Sequence, residues 1–162
     1  MRMTLMLILS LAVLAVLNYG IYEKEYIKRQ GETVLLELAP VDPRSLMQGD
    51  FMRLRYKIAQ DAPISILTSN QSRGYMVIRL DENQVAQFVR FHAGERLSAE
   101  EKLLRFHRQY SSAQIVPDSF LFQEGHAEYY EVAKYGIFKF HPSGNHLLIG
   151  LADENRVLIS PP

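Results

Sequence analysis

Residues 41–56 read Val41-Asp42-Pro43-Arg44-Ser45-Leu46-Met47-Gln48-Gly49-Asp50-Phe51-Met52-Arg53-Leu54-Arg55-Tyr56, and this stretch decides how the chain folds. Its first half is a turn: Pro43 fixes one backbone angle, Gly49 is free to take a positive φ, and the Asp50 carboxylate can fold onto nearby backbone N–H groups. Its second half opens a strand expected from Phe51 to Ala59. With a period of two, Asp50, Met52, Leu54, Tyr56 and Ile58 point one way and Phe51, Arg53, Arg55 and Lys57 the other. One face is mostly apolar, so Leu54 and Tyr56 are core positions. The other is mostly cationic. Arg53, Arg55 and Lys57, with Arg44 nearby in sequence, form a candidate docking face for an acidic partner surface or for anionic headgroups. A solvated sheet face accounts for the same charges.

Toward the N-terminus, Met3 to Tyr22 reads MTLMLILSLAVLAVLNYGIY. About 20 residues without a charge are enough to cross a hydrocarbon core as a helix. Tyr19 and Tyr22 fall where an interfacial aromatic belt forms. A cleaved signal peptide shares the leading Arg2 and the apolar run, but no small-x-small pair ends this run, and an uncleaved anchor is the reading adopted. Lys24, Lys28 and Arg29 flank the far end, so the positive-inside count does not favour export of the C-terminal domain. Glu23 to Gln30 continues the helix as a polar stalk that Gly31 stops. The chain thus divides into an anchor and stalk over 1–30 and a β-rich domain over 31–162.

Toward the C-terminus the β signals accumulate. Thr33 to Leu38 is a β-favouring run ending before Pro40, and the polar Ser69-Asn70-Gln71-Ser72 marks a loop. Gly74–Leu80 and Gln84–Phe91 flank Asp81-Glu82-Asn83 as a hairpin. Ser98-Ala99-Glu100-Glu101 fits a capping box, which would open a helix over 99–110. Alternation from Leu104 to Tyr110 instead supports a second hairpin with Ala113–Val116, and that is the expectation here. Asp118–Phe122 is a brief strand, His126–Lys134 a short helix with Glu early and Lys late, and Ile137–His141 with His146–Leu151 a hairpin around Pro142–Asn145. Val157–Ile159 adds a last edge strand. The fold class is α+β, mainly antiparallel β in a sandwich or half-open barrel, with one short helix, behind an N-terminal transmembrane helix.

Composition narrows function by exclusion. The 162 residues carry 18 basic and 18 acidic side chains, a balance unlike the basic footprint of nucleic-acid binders, so no nucleic-acid partner is expected. Absence of cysteine removes disulfides and thiolate chemistry. The glycines build no phosphate-cradling loop, and no cofactor is expected.

The motif residues carry a resemblance. Gly49-Asp50-Phe51-Met52-Arg53-Leu54-Arg55-Tyr56 resembles the signature of the bacterial GDYXXLXY family, with Phe51 where that pattern has tyrosine. Val41-Asp42-Pro43-Arg44, Phe122-Gln123-Glu124-Gly125, Tyr135-Gly136 and Pro142-Ser143-Gly144 resemble it in the same order. Gly49, Asp50, Phe51, Leu54, Tyr56, Glu124, Gly125, Tyr135, Gly136 and Gly144 are the motif residues carried over. The resemblance implies a membrane-anchored, noncatalytic accessory module of unassigned role, held in the bilayer of the cytoplasmic (inner) membrane with a periplasmic C-terminal domain and partnering a multi-pass membrane protein.

Other chemistry has weaker signals. Asp50 is a cation ligand or, more economically, a turn former. Glu124 with His126 suggests acid/base or metal work, or simply a helix-entry carboxylate. An enzyme reading, similar to signal-peptidase-like serine hydrolases, uses Ser45 as nucleophile and Lys57 as base, although the Ser-Met-x-Pro context is missing and Lys57 sits on the same strand system. A metal-sensing reading uses His141 and His146, facing each other if Pro142–Asn145 form the turn, with no third ligand in view.

Overall fold

A computed structural model describes residues 2–40, 47–48, 51–64, 72–109 and 112–162. Helix α1 (Arg2–Gln30) is a single rod. From Met3 to Tyr22 every residue is exposed. The helix is long and apolar enough to cross a membrane, with mean hydropathy 2.2 in its most apolar window. Its last two turns behave differently. Ile27 is only 1% exposed. Gly31 then closes the helix with its N–H on the Ile27 carbonyl. A Cβ at Gly31 would strike that carbonyl and Lys139, so the chain can turn into the domain only through glycine.

Three antiparallel sheets follow among the described residues. The first orders β1 (Glu32–Glu37), β9 (Tyr135–Phe140) and β10 (His146–Ala152). The second orders β2 (Met47–Gln48), β3 (Phe51–Arg53) and β8 (Ser119–Leu121). The third orders β5 (Ala86–Phe91), β4 (Arg73–Leu80), β6 (Glu101–Gln109) and β7 (Ser112–Gln114). Bridges at Leu35–Val85 and Leu38–Tyr56 tie the first sheet to the other two, and one sheet curls as a half-barrel. The main core holds Val34, Leu36, Met52, Leu54, Tyr56, Met76, Ile78, Leu104, Phe106, Phe138 and Phe140. Strand β1 is apolar on consecutive residues because both of its faces are covered: Val34 and Leu36 enter the main core, while Leu35 joins Val85, Ile137 and Ala152 on the other side.

The expected strand over Phe51–Ala59 needs correction. Burial does alternate through Met52, Leu54, Tyr56 and Ile58. The ladder nevertheless ends at Arg53, since the Leu54 N–H bonds to the Asp118 carbonyl and the Arg55 carbonyl accepts from Ala39 N–H. Tyr56 stays extended and caps α2 (Lys57–Asp61), where the neighbours Ile58 and Ala59 are both buried. Lys, Ala and Gln in that segment favour a helix, and a strand could not bury two adjacent residues on one face. The helix expected over His126–Lys134 also shortens, to α3 (Ala127–Tyr130). Lys134 must be extended there, because its N–H bonds to Ala152 and its carbonyl to Leu38. The expected edge strand at Val157–Ile159 is reduced to a single bridge, Ala152–Leu158.

Residues 101–109 form a strand, as the alternation indicated, and the capping-box residues do something else. The Glu101 carboxylate accepts the Ser98 N–H at 2.9 Å and takes both terminal nitrogens of Arg90, at 2.6 and 3.1 Å. It therefore locks a turn against the neighbouring strand. Arg90 and that N–H hold Glu101 down at about 2.

A five-residue pattern recurs at two turns, Asp81-Glu82-Asn83-Gln84-Val85 and Asp153-Glu154-Asn155-Arg156-Val157. In each, the aspartate Oδ1 accepts the N–H groups two and four residues on, at 2.8–2.9 Å. In each, the fourth residue is left-handed, Gln84 at φ 62° and Arg156 at φ 65°. Replacing Asp153 by alanine removes two such bonds and is expected to cost about 1–2 kcal/mol in chemical denaturation, while Arg156→Gly, relieving the left-handed residue, should hold or raise stability.

Candidate functional site

The motif residues inside the described region sort by direction. Leu54 and Tyr56 go inward, 4% and 3% exposed. The Tyr56 ring meets Phe138 edge-on at 5.6 Å, and its hydroxyl donates to the Pro117 carbonyl at 2.6 Å. Burial, helped by the Asp118 charge, pushes this phenol well above the ordinary tyrosine value. The group stays protonated, and it works as a donor within the core. Gly136, from a different part of the motif, lies against the same ring: a Cβ there would sit 3.1 Å from Phe138, 3.3 Å from Leu148 and 3.4 Å from Tyr56. Two motif segments 80 residues apart are thus one packing unit.

Arg53 and Arg55 go outward and are exposed. Neither guanidinium has an ion-pair partner among the described residues. Both line two clefts on either side of the motif strand. The smaller, of about 410 Å³, is bounded by Glu37, Pro40, Glu131, Lys134 and Glu154 as well. The larger, of about 760 Å³, is walled by Gln60, Gln109, Gln114, Asp118 and Ser119. Amides and guanidiniums present donors that suit carbonyl and anionic groups.

Lys57 does not belong with the two arginines. It lies on α2, and its ammonium holds both Glu37 carboxylate oxygens at 3.1 Å. That hydrogen bond, with the Glu37 charge, pushes Lys57 up, opposite to the lowering a general base needs. The Ser45–Lys57 hydrolase reading therefore loses its base. Ser45 itself, with Val41, Asp42, Pro43, Arg44, Gly49 and Asp50, lies outside the described residues, so the expected turn and the Asp50 role do too.

The remaining motif residues are structural in placement. Phe51 is half-buried between Gln48 and Leu121 in the second sheet. Gly125 turns at φ 83°, and Gly144 at φ 84° beneath the Tyr75 ring. Tyr135 pairs with both Glu37 and Ala152 across the first sheet. Glu124 is exposed, and no side chain caps α3, which corrects the helix-entry role expected for it. His126 lies edge-on to Tyr129 at 5.6 Å.

The histidine pair is also corrected. The register sets His146 opposite Phe140, and His141 closes the turn by donating its N–H to the Asn145 carbonyl. That slip of one residue sends the two rings to different neighbours. His141 bonds Ser143 at 2.8 Å and meets Tyr26 edge-on. His146 stacks on Phe140 at 5.3 Å, and its Nε2–H donates to the Val116 carbonyl at 2.9 Å. No group of three metal-ligating side chains occurs among the described residues. The Val116-Pro117 segment, whose two carbonyls are capped by His146 and Tyr56, has no counterpart among the sequence expectations. The one sequence hint is proline ending the Ala113–Val116 run.

Tyr56→Phe leaves the Pro117 carbonyl without its donor and is expected to cost about 1–3 kcal/mol in denaturant unfolding, with Gly136→Ala destabilising by a similar amount through crowding. Burial also lowers His146 below its ordinary value of 6.5, more than its two carbonyl contacts raise it. The neutral ring is the folded form, so stability is full above 6.5 and falls as pH drops through that value. Melting temperature followed from neutral to mildly acidic pH should fall in the parent chain and flatten in His146→Gln.

Comparison with known proteins adds one positive result. A family model described as GDYXXLXY protein matches residues 13–151, from the middle of α1 to the end of β10. No curated protein and no solved structure matches the chain. Residues 13–151 cover most of the sequence, and the chain belongs to the GDYXXLXY protein family.

Proposed function

We propose that this protein is a noncatalytic accessory module, held in the cytoplasmic membrane by α1, whose β-domain stands on the periplasmic side and docks onto a multi-pass membrane protein. The observation that carries the reading is the contrast along one helix. Residues 3–22 are all exposed, whereas Ile27 is buried. An uncovered stripe of this size in a folded chain asks for lipid or another apolar helix. The buried end makes the last turns of α1 part of the packing of the domain, so the apolar run continues a helix that the domain itself holds in place. Domain organisation follows the same division, anchor and stalk over 1–30 and domain over 31–162, with the stalk braced on the domain.

Arg53 and Arg55 supply the recognition chemistry. Two guanidiniums without acidic partners among the described residues, set between two clefts lined by amides and carboxylates, suit an acidic or carbonyl-rich loop of the partner protein. A permanently charged, Glu37-bound Lys57 and a phenol held in the core support binding over catalysis.

Alkaline washing of membranes should leave the full-length chain, with its front end intact, in the pellet. Crosslinking in cells followed by purification should recover an adduct with an integral membrane protein, and Arg53→Glu/Arg55→Glu should reduce that adduct severalfold. A chain released by the wash, or one that runs alone after crosslinking in every detergent, overturns the reading. A reporter fused after Pro162 that is active only in the cytoplasm overturns the periplasmic placement.

A further inference from the structure

The end of α1 fixes which part of the domain lies closest to the end of the apolar run. Glu23, the first residue after Tyr22, accepts a hydrogen bond from Asn145 at 3.1 Å, and Tyr26 meets His141 edge-on at 6.0 Å. Both partners belong to the turn between β9 and β10. At about 1.5 Å of rise per residue, this turn lies within one helical turn of the last apolar residue. Further up, Glu32 pairs in register with Phe140 and binds Lys102 at 2.7 Å, so Lys102 marks the height at which the helix has already ended.

Gly144 of the turn packs on Tyr75 and Leu103, with Cβ distances of 3.0 and 3.2 Å. Next along the same sheet face come Arg105, opposite Tyr75, and then His107, opposite Arg73. Arg73 and Arg105 are exposed, as is Lys24 on the helix. Among the described residues none of the three has a carboxylate partner, and Glu23, next to Lys24 in the chain, is engaged by Asn145. Of the other charges on the stalk, Arg29 is paired with Glu25 at 2.9 Å.

We propose that Lys24, Arg73 and Arg105 form a membrane-facing cationic surface that binds the phosphate groups of anionic phospholipids in the bilayer crossed by α1, and so sets the tilt of the β-domain on the membrane. This inference rests on the anchored reading above. Three cations grouped around the turn that touches Glu23 and Tyr26 are within reach of the headgroups, where each contributes attraction that falls off over about 10 Å. The two histidines nearby respond to the same cations: after burial, the fields of Lys24 and Arg105 depress His146, and those of Arg73 and Arg105 depress His107. An acidic protein loop could meet the same charges, but the contacts of Glu23 and Tyr26 with the turn orient this rim toward lipid.

The chain has no cysteine, so Ser72→Cys, exposed and next to Arg73, offers a unique labelling site. The labelled full-length chain would be reconstituted into vesicles of phosphatidylcholine alone or of phosphatidylcholine and phosphatidylglycerol in equal parts, with headgroup-labelled lipid as energy-transfer acceptor. Transfer should be stronger in the anionic vesicles and fall in high salt. It should drop roughly fivefold in docked population for each cation removed across Lys24→Gln, Arg73→Gln and Arg105→Gln. Co-flotation and melting temperature should stay as in the parent. Equal transfer in both vesicle types, or transfer indifferent to salt and to the substitutions while the chain still floats, overturns the inference alone. Failure to float with either vesicle overturns it together with the anchor. If lipid charge has no effect but the triple variant loses a crosslinked membrane protein, the lipid assignment is overturned and the rim is a protein contact.

Discussion

One buried hydroxyl ties the domain together. Tyr56 bridges to Leu38 through its backbone, packs its ring on Phe138, and donates its hydroxyl to Pro117. Those three partners belong to the first sheet and to the connection between the second and third. A phenol placed this deep must find an acceptor, because an unpaired hydroxyl in the core costs more than the bond returns. The requirement fixes the position of Val116-Pro117, and with it the route from β7 to β8. Gly136 completes the arrangement by leaving room for the ring. The inward motif residues are thus a packing specification, and the arginines between them are left exposed on the outer face.

The second constraint is at the junction of helix and domain. A flexible linker would let the β-domain sample many orientations, and no particular face would be near the bilayer. Here Ile27 is buried, Gly31 allows a close approach, and the β9–β10 turn rests on the helix through Asn145 and His141. Each contact is modest in itself. Together they make the direction of α1 a property of the domain, so a charge on a distant strand such as Arg105 acquires a defined height above the apolar run.

Much of this architecture is legible in the residues alone. About twenty uncharged residues announce the helix, since length and apolarity alone set whether a segment can span a bilayer. Alternation from Met52 to Ile58 announces which side chains are buried, and that holds even where the strand does not, because burial depends on direction and the ladder on what lies alongside. The strand over 101–109 is readable from its period despite the capping-box residues before it. A bond between Ser98 and Glu101 does form, but at a turn held by Arg90, and a pattern spanning four residues does not say whether it will serve a helix or a turn. The His141–His146 pairing fails for a related reason. A hairpin turn can close on either of two adjacent residues, and a slip of one changes every neighbour. The paired turns at Asp81 and Asp153 are readable in principle, as a repeated five-residue pattern whose aspartate can satisfy two N–H groups.

By itself the sequence determined the apolar helix, the antiparallel β class, the inward course of Leu54 and Tyr56, and the family resemblance, all of which depend on residues close together or on simple periods. Only the tertiary structure decided that Tyr56 and Gly136 share one contact, that Lys57 is held by Glu37 rather than grouped with Arg53 and Arg55, and that the β9–β10 turn lies beside Glu23. Those facts join residues separated by 80, 20 and 122 positions. No local pattern encodes such distances, because they are set by how the sheets close around a common core.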